Sequence, residues 1–194
     1  MSIESIPKEI SKEDLAKCPV DSFPGTIHLI DKPEQVAAAY EVLKKENLLG
    51  MDTETKPSFK KGVIHKVSLL QLSTTTDVFV FRLNRIGLPE ELVKLLNNQR
   101  ILKVGIALHD DIKDLKKLNA ACRPQNTVDL NKMAQQLGFE SIGAKKLSAL
   151  VLGFTISKSE QTSNWEAENL TANQLKYAAT DAWICNLIYT KLTA

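Results

Sequence analysis

The stretch Leu48-Leu49-Gly50-Met51-Asp52-Thr53-Glu54-Thr55 constrains this chain more than any other. Three apolar residues with a glycine among them lead into two carboxylates one residue apart, and an apolar run of this length reads as a buried strand. Side chains alternate across a strand, so Asp52 and Glu54 project to the same side, with Cβ atoms roughly 6.5–7 Å apart. Two ionised carboxylates so placed repel one another and lose hydration unless a positive charge sits between them. A divalent cation supplies that charge. The plainer alternative is a strand that ends in solvent, where acidic residues are ordinary.

With 194 residues, the chain is long enough for one domain with a sizeable core and no staples. Its 43% hydrophobic and 25% charged content is that of an ordinary globular protein. A net charge of +2 neither demands nor excludes a polyanionic partner, so the distribution of charge matters more than the sum. The cysteines, Cys18, Cys122 and Cys185, are odd in number, far apart and without CxxC spacing. They read as reduced thiols rather than a disulfide framework or a zinc site. No apolar run approaches the ~20 residues of a membrane span, and the N-terminus lacks a charged-then-apolar signal pattern. The expected location is cytoplasmic, with no membrane partner; oligomeric state is not indicated.

Residues 1–25 carry Pro7, Pro19 and Pro24 among scattered charges and read as an extension that wraps the domain or is partly loose, with the main domain over 26–194. Thr26–Ile30 alternates as an outer strand, with His28 in its polar, surface phase. Asp31 is placed to cap a helix with Pro33 in its first turn, running to about Asn47. After the Asp52–Glu54 strand come two more strands, Val67–Leu72 and Asp77–Phe81, joined by a turn at Thr74–Thr76. A helix over Pro89–Asn97, a strand over Ile101–Gly105 and a helix over Leu108–Leu118 follow. Thr127–Leu130 is a short strand or loop, and helices cover Asn131–Leu137, Lys146–Leu152 and Thr171–Leu192. Three strands in succession and then strand–helix alternation imply an α/β fold: a mixed sheet, antiparallel meander first and parallel strands after, with helices on both faces. Such sheets place ligands at the carboxyl ends of strands, where Asp52 and Glu54 lie.

Two further acidic positions converge on that end. In Lys103-Val104-Gly105-Ile106-Ala107-Leu108-His109-Asp110-Asp111, a buried strand gives way to a helix whose first turn carries Asp110 and Asp111. Acids there are favoured by the helix dipole, so a simple cap is the plain alternative. In Tyr177-Ala178-Ala179-Thr180-Asp181, the tyrosine and aspartate are four apart on one helix face. Their small and apolar neighbours, Ala178, Ala179, Ala182, Trp183 and Ile184, imply that Asp181 is buried and needs a partner.

Taken together and in order, MDTET, KVGIALHDDIKDL and SNW–LT–QLKYAATDA resemble the DEDD superfamily of 3′–5′ exonucleases in its tyrosine (DEDDy) branch, within the ribonuclease H-like fold. The pattern is most similar to Werner-type exonuclease domains and more distantly to ribonuclease D, and it covers roughly Ile27 to Leu192. The resemblance implies catalytic roles for Asp52, Glu54, Asp111, Tyr177 and Asp181. Asp111 is taken over Asp110 because it lies six residues past Gly105, where the Werner-type pattern has its acid; Asp114, a helical turn further on, points elsewhere. Asp52, Glu54, Asp111 and Asp181 would hold two Mg²⁺ or Mn²⁺ ions, with Asp52 bridging both, Glu54 and Asp181 completing one site, and Asp111 serving the second largely through water. Hard oxygen ligands suit those ions, and no His or Cys cluster points to zinc. Tyr177 would aim the attacking water, since a phenol with pKa near 10 is a poor base at neutral pH. The implied activity is hydrolysis from the 3′ end to nucleoside 5′-monophosphates. Trp165 in Ser163-Asn164-Trp165 is expected to pack structurally rather than stack on a base.

DNA is the expected partner. Ribonuclease D-like trimming of RNA is the alternative, disfavoured because the chain closes soon after its last helix, with no room for the helical domains that follow in that enzyme. A non-catalytic nucleic-acid-binding module is a third reading, opposed by the filled catalytic positions. A polyanion also needs a basic path. The segment 55–76 carries Lys56, Lys60, Lys61, Lys66 and His65 with no acid, so Lys56, Phe59, Lys60, Lys61 and Lys66 are candidate nucleic-acid contacts. The plain alternative is a solvated loop. Lys113, Lys116, Lys117, Lys145, Lys146 and Lys158 could extend the track.

Overall fold

The computed structural model describes residues 3–60 and 62–194. A 3-10 turn at Ile3–Ser5 precedes α1 (Lys12–Lys17), whose N-cap Ser11 accepts the Asp14 N–H. Then come β1 (Thr26–Ile30), a 3-10 turn at Pro33–Gln35 and α2 (Val36–Leu43). The strands β2 (Leu48–Thr55), β3 (Val67–Ser73) and β4 (Asp77–Arg82) follow. Next are α3 (Leu83–Ile86), α4 (Glu90–Asn97), β5 (Leu102–Gly105) and α5 (Leu108–Leu118). The chain ends with β6 (Thr127–Asp129), α6 (Leu130–Gln136), α7 (Ala144–Leu147) running into a π-turn at Ser148–Leu152, and the long α8 (Ala172–Thr193).

The six strands form one sheet in the order β1-β4-β3-β2-β5-β6. β2, β3 and β4 make the expected antiparallel meander. β5 runs parallel to β2, β6 parallel to β5, and β1 parallel to β4 at the far edge. β2 is therefore central, and both faces of its apolar half are covered. On one face α8 packs with Leu69, Val80 and Val104; on the other, α2, α4 and α5 pack with Leu49, Met51, Leu70 and Leu72. This two-sided burial explains why β2 and β3 read as continuous apolar runs rather than alternating ones.

Two local expectations change. Asp31 does not cap α2: its N–H and that of Lys32 donate to the Gln35 side-chain carbonyl, while the Asp31 carboxylate pairs with Arg85 at 2.9 Å. α2 stops at Leu43 rather than near Asn47. The Lys45 and Glu46 N–H groups tighten onto carbonyls three residues back, and Asn47 O already accepts the Leu102 N–H at 2.8 Å, which commits the chain to the sheet. The N-terminal segment is packed on the body. Ile6 and Phe23 are buried in the α8-side core; the Phe23 ring meets Trp183 edge-on at 5.7 Å, and its N–H donates to Thr180 Oγ1 at 3.0 Å. No helix among the described residues is long and apolar enough to cross a membrane.

Candidate active site

Gly50 decides how closely α8 approaches β2. A Cβ at this position would meet the Ala182 carbonyl at 2.1 Å and Ser73 Oγ at 2.3 Å, so only glycine admits the helix backbone here. Gly50, Asp52 and Glu54 share one face by strand alternation, so this contact also carries Asp181 onto the two acids. Asp52, Glu54 and Asp181 each offer one carboxylate oxygen, and these oxygens lie within 4.8 Å of one another. Asp181 is buried, and the other two are half-buried. A cavity of about 140 Å³ opens on the group, lined by Asp52, Ile106, Ala144, Lys158, Asp181 and Cys185.

Asp111 reaches the site from the opposite face. Gly105 gives the tight strand-to-helix turn its room, since a Cβ there would strike Leu108 Cδ2 at 2.3 Å and Met51 O at 2.5 Å. Ala107 takes a left-handed conformation with φ 60°, and its N–H donates to Asp129 Oδ1 at 3.2 Å. This turn aims the first turn of α5 at the end of β2. Thr53, which projects away from α8, donates its hydroxyl to Asp111 Oδ1. Asp110 is exposed and Asp111 half-buried, while Asp114 is engaged with Lys117 at 2.5 Å. Asp111 lies outside the tight three-acid group but within its electrostatic reach.

The acids are held under electrostatic strain. Burial first, then the charges of Asp181, Glu54 and Asp111, pushes the Asp52 carboxyl well above the usual carboxylate range. Burial and the Asp181 charge push Glu54 up to about 8. Burial raises Asp111 against the opposing Thr53 hydrogen bond, and it raises Asp181 against the opposing Lys158 ammonium. Acids so perturbed by desolvation and by one another mark a site built for added positive charge. The donor set is carboxylate oxygen, which suits Mg²⁺ or Mn²⁺. Cys185 lines the cavity, but its thiol donates to the Asp181 carbonyl at 3.1 Å and burial pushes its ionisation far up, so it is no thiolate ligand.

Tyr177 stands one turn before Asp181 on α8. Burial first, and then Asp181 and Glu54, raise its phenol well above its ordinary range. Trp165 is completely buried, 5.8 Å from the Tyr177 ring, and its segment is tied to α8 through Gln174 Nε2, which donates to Ser163 Oγ at 3.0 Å and Asn164 O at 3.3 Å. Arg82, buried at the end of β4, donates from Nη1 to Glu168 O at 2.7 Å and from Nη2 to Ala167 O. Trp165 is thus packing, as expected.

Two contacts of the site escaped the sequence, which offers Lys158 only as a candidate extension of the basic track and does not single out Glu166. Lys158 Nζ lies 3.1 and 3.0 Å from the two Asp181 oxygens and 3.4 Å from Tyr177 Oη. No local periodicity marks it; the only signal is that buried acids require a cation. Glu166 makes the second. It pairs with Lys56 at 3.3 Å and with His65 at 3.5 Å, anchoring a loop that looked free of acids because its acid comes from a distant segment. Phe59 is 85% exposed, Lys60 and Lys66 are exposed, and Lys61 lies outside the described residues.

The relationship to known proteins agrees with this geometry. Residues 27–194 match a family model described as 3′–5′ exonuclease. A putative 3′–5′ exonuclease of Acanthamoeba polyphaga mimivirus is 34% identical over 163 residues, covering 76% of this chain and 40% of the relative. The bifunctional 3′–5′ exonuclease/ATP-dependent helicase WRN of Mus musculus is 27% identical over 197 residues, covering 96% of this chain and 14% of that protein. Among solved structures, the Aedes aegypti Nibbler EXO domain superposes with a TM-score of 0.80 at 26% identity, covering 89% of this chain and 91% of that one. The chain therefore spans less than half the length of either relative. On its motifs, its mixed sheet and the family match, it belongs to the 3′–5′ exonucleases.

Proposed function

We propose that this chain is a divalent-metal-dependent 3′–5′ exonuclease that removes nucleoside 5′-monophosphates from the 3′ end of DNA. The observation that carries the reading is the convergence of Asp52, Glu54 and Asp181, one oxygen each within 4.8 Å, from a strand end and a helix face. Asp52, Glu54 and Asp181, with Asp111 on the other side of the strand end, would hold two Mg²⁺ or Mn²⁺ ions. When bound, such a pair activates water as a nucleophile and stabilises the charge that builds on the departing 3′ oxygen.

The residues do the rest. Tyr177, with its phenol held protonated by burial and the neighbouring carboxylates, serves as a hydrogen-bond donor that orients the attacking water and the scissile phosphate, not as a base. Thr53 fixes one oxygen of Asp111 and so orients its carboxylate toward the end of β2. Water attacks the terminal phosphorus, the P–O3′ bond breaks, and the shortened strand keeps the oxygen as its new 3′ hydroxyl. Lys60 and Lys66, exposed on the loop that leaves β2, neutralise backbone phosphates without reading sequence. Lys61 continues the same run, Lys56 is partly committed to Glu166, and Phe59 offers an exposed ring to a terminal base.

Support for DNA comes from the Werner-type motif order; the ribonuclease D-like part of the same pattern makes RNA the second reading. Oligonucleotides of matched DNA and RNA sequence, labelled at either end and incubated with Mg²⁺ or Mn²⁺, test both. A 5′-labelled ladder that shortens from the 3′ end, faster on DNA, is expected. Folded protein that shortens neither strand refutes the activity, and faster RNA digestion refutes the substrate.

A further inference from the structure

The ammonium of Lys158 sits where a cation is wanted. It straddles both oxygens of Asp181 at 3.0 and 3.1 Å, lies 3.4 Å from Tyr177 Oη and 5.2 Å above that ring, and lines the same small cavity as Asp52. Its positive charge opposes the mutual repulsion felt by Asp52, Glu54 and Asp181 alike. Lys158 comes from the irregular segment between the π-turn and α8, so its long side chain can leave without disturbing a regular element. An ammonium this close to both Asp181 oxygens repels an incoming divalent cation and satisfies the same charge, so the two compete for the carboxylate.

We propose that Lys158 is a built-in stand-in cation. It holds the three acids together in the metal-free protein, and it is displaced from Asp181 when a divalent ion enters. Metal and ammonium then compete for one carboxylate, so each weakens the hold of the other. The displaced ammonium stays within reach of Tyr177 Oη. The inference rests on the reading of the acids as a metal centre, and it adds that the centre is guarded by a side chain of the same chain.

The test measures Mn²⁺ binding, by the loss of the free-ion paramagnetic resonance signal, in wild type and Lys158→Met without nucleic acid. The variant is expected to bind at least tenfold more tightly. Its thermal midpoint should fall in chelator and recover in saturating Mg²⁺, so the metal-induced rise exceeds that of wild type. Equal or weaker binding by the variant overturns the inference while leaving the exonuclease reading intact. A wild type that binds no divalent ion overturns both. Should Lys158→Met not fold in chelator, amine modification of wild-type Lys158, followed by mass spectrometry, decides: the rate should rise several-fold on adding Mn²⁺, and an unchanged rate overturns the proposal.

Discussion

Replacing Glu54 with glutamine should stabilise the metal-free protein while destroying its capacity for metal. The folded carboxyl is pushed up to about 8 from an ordinary 4.5, chiefly by burial and then by Asp181. At pH 7 the unfolded chain carries Glu54 ionised, whereas the folded protein holds it mostly protonated. The gap between 4.5 and 7, at about 1.4 kcal/mol per pH unit, sets a folding penalty of about 3 kcal/mol. Between 4.5 and about 8 the folded protein binds more protons than the unfolded chain. Metal-free stability therefore falls as pH rises through that window and levels off above it. Glutamine keeps the shape and removes the penalty, so Glu54→Gln should raise the midpoint in chelator at pH 7 by about 6–12 °C for a chain of this size. The gain should shrink toward pH 4.5. Circular dichroism melts across pH, with and without Mg²⁺, measure it; Mg²⁺ should stabilise wild type and leave the variant nearly unmoved. A variant that melts lower than wild type in chelator at pH 7 would show instead that the buried acids are not in mutual conflict.

Tyr177→Phe should lower kcat about 10²-fold and leave metal affinity unchanged, which single-turnover digestion and metal titration separate. Gly50→Ala should cost about 3 kcal/mol in urea unfolding, because its Cβ would strike the Ala182 carbonyl at 2.1 Å, and the surviving folded fraction should bind metal poorly as α8 is pushed off β2. Lys60→Ala and Lys66→Ala should each weaken DNA binding, with the slope of log Kd against log salt reduced by about 1, while the rate at saturating DNA stays unchanged.

Much of the site was legible because its determinants are local. The alternation of β2 puts Asp52 and Glu54 on one face whatever surrounds it, and the spacing of Tyr177 and Asp181 puts them on one side of α8. The apolar neighbours of Asp181 correctly signalled a buried acid. The antiparallel meander and the later strands parallel to β2 were legible from the succession of strands and crossover helices, whereas the parallel pairing of the outer strand β1 with β4 was not. What stayed hidden depends on contacts far apart in sequence. Thr53 and Asp111 are joined across 58 residues, and Lys158 meets Asp181 across 23 through an irregular segment that no periodicity describes. Glu166 pairs with Lys56 and contacts His65 from another part of the chain, so counting lysines within residues 55–76 overstated the free positive charge of that loop. Asp31 shows the same limit in miniature: a good capping residue by type, it is claimed by Arg85 instead.

Asp52, Glu54, Asp181 and Asp111 are proposed to form one two-metal centre. Anomalous diffraction from crystals soaked in Mn²⁺ together with a nucleoside 5′-monophosphate would locate the ions. Two peaks about 3.5–4 Å apart, one against Glu54 and Asp181 and the other toward Asp111, with Asp52 between them, are the predicted result. Fully occupied Mn²⁺ elsewhere on the protein, with no peak among these carboxylates, would contradict it.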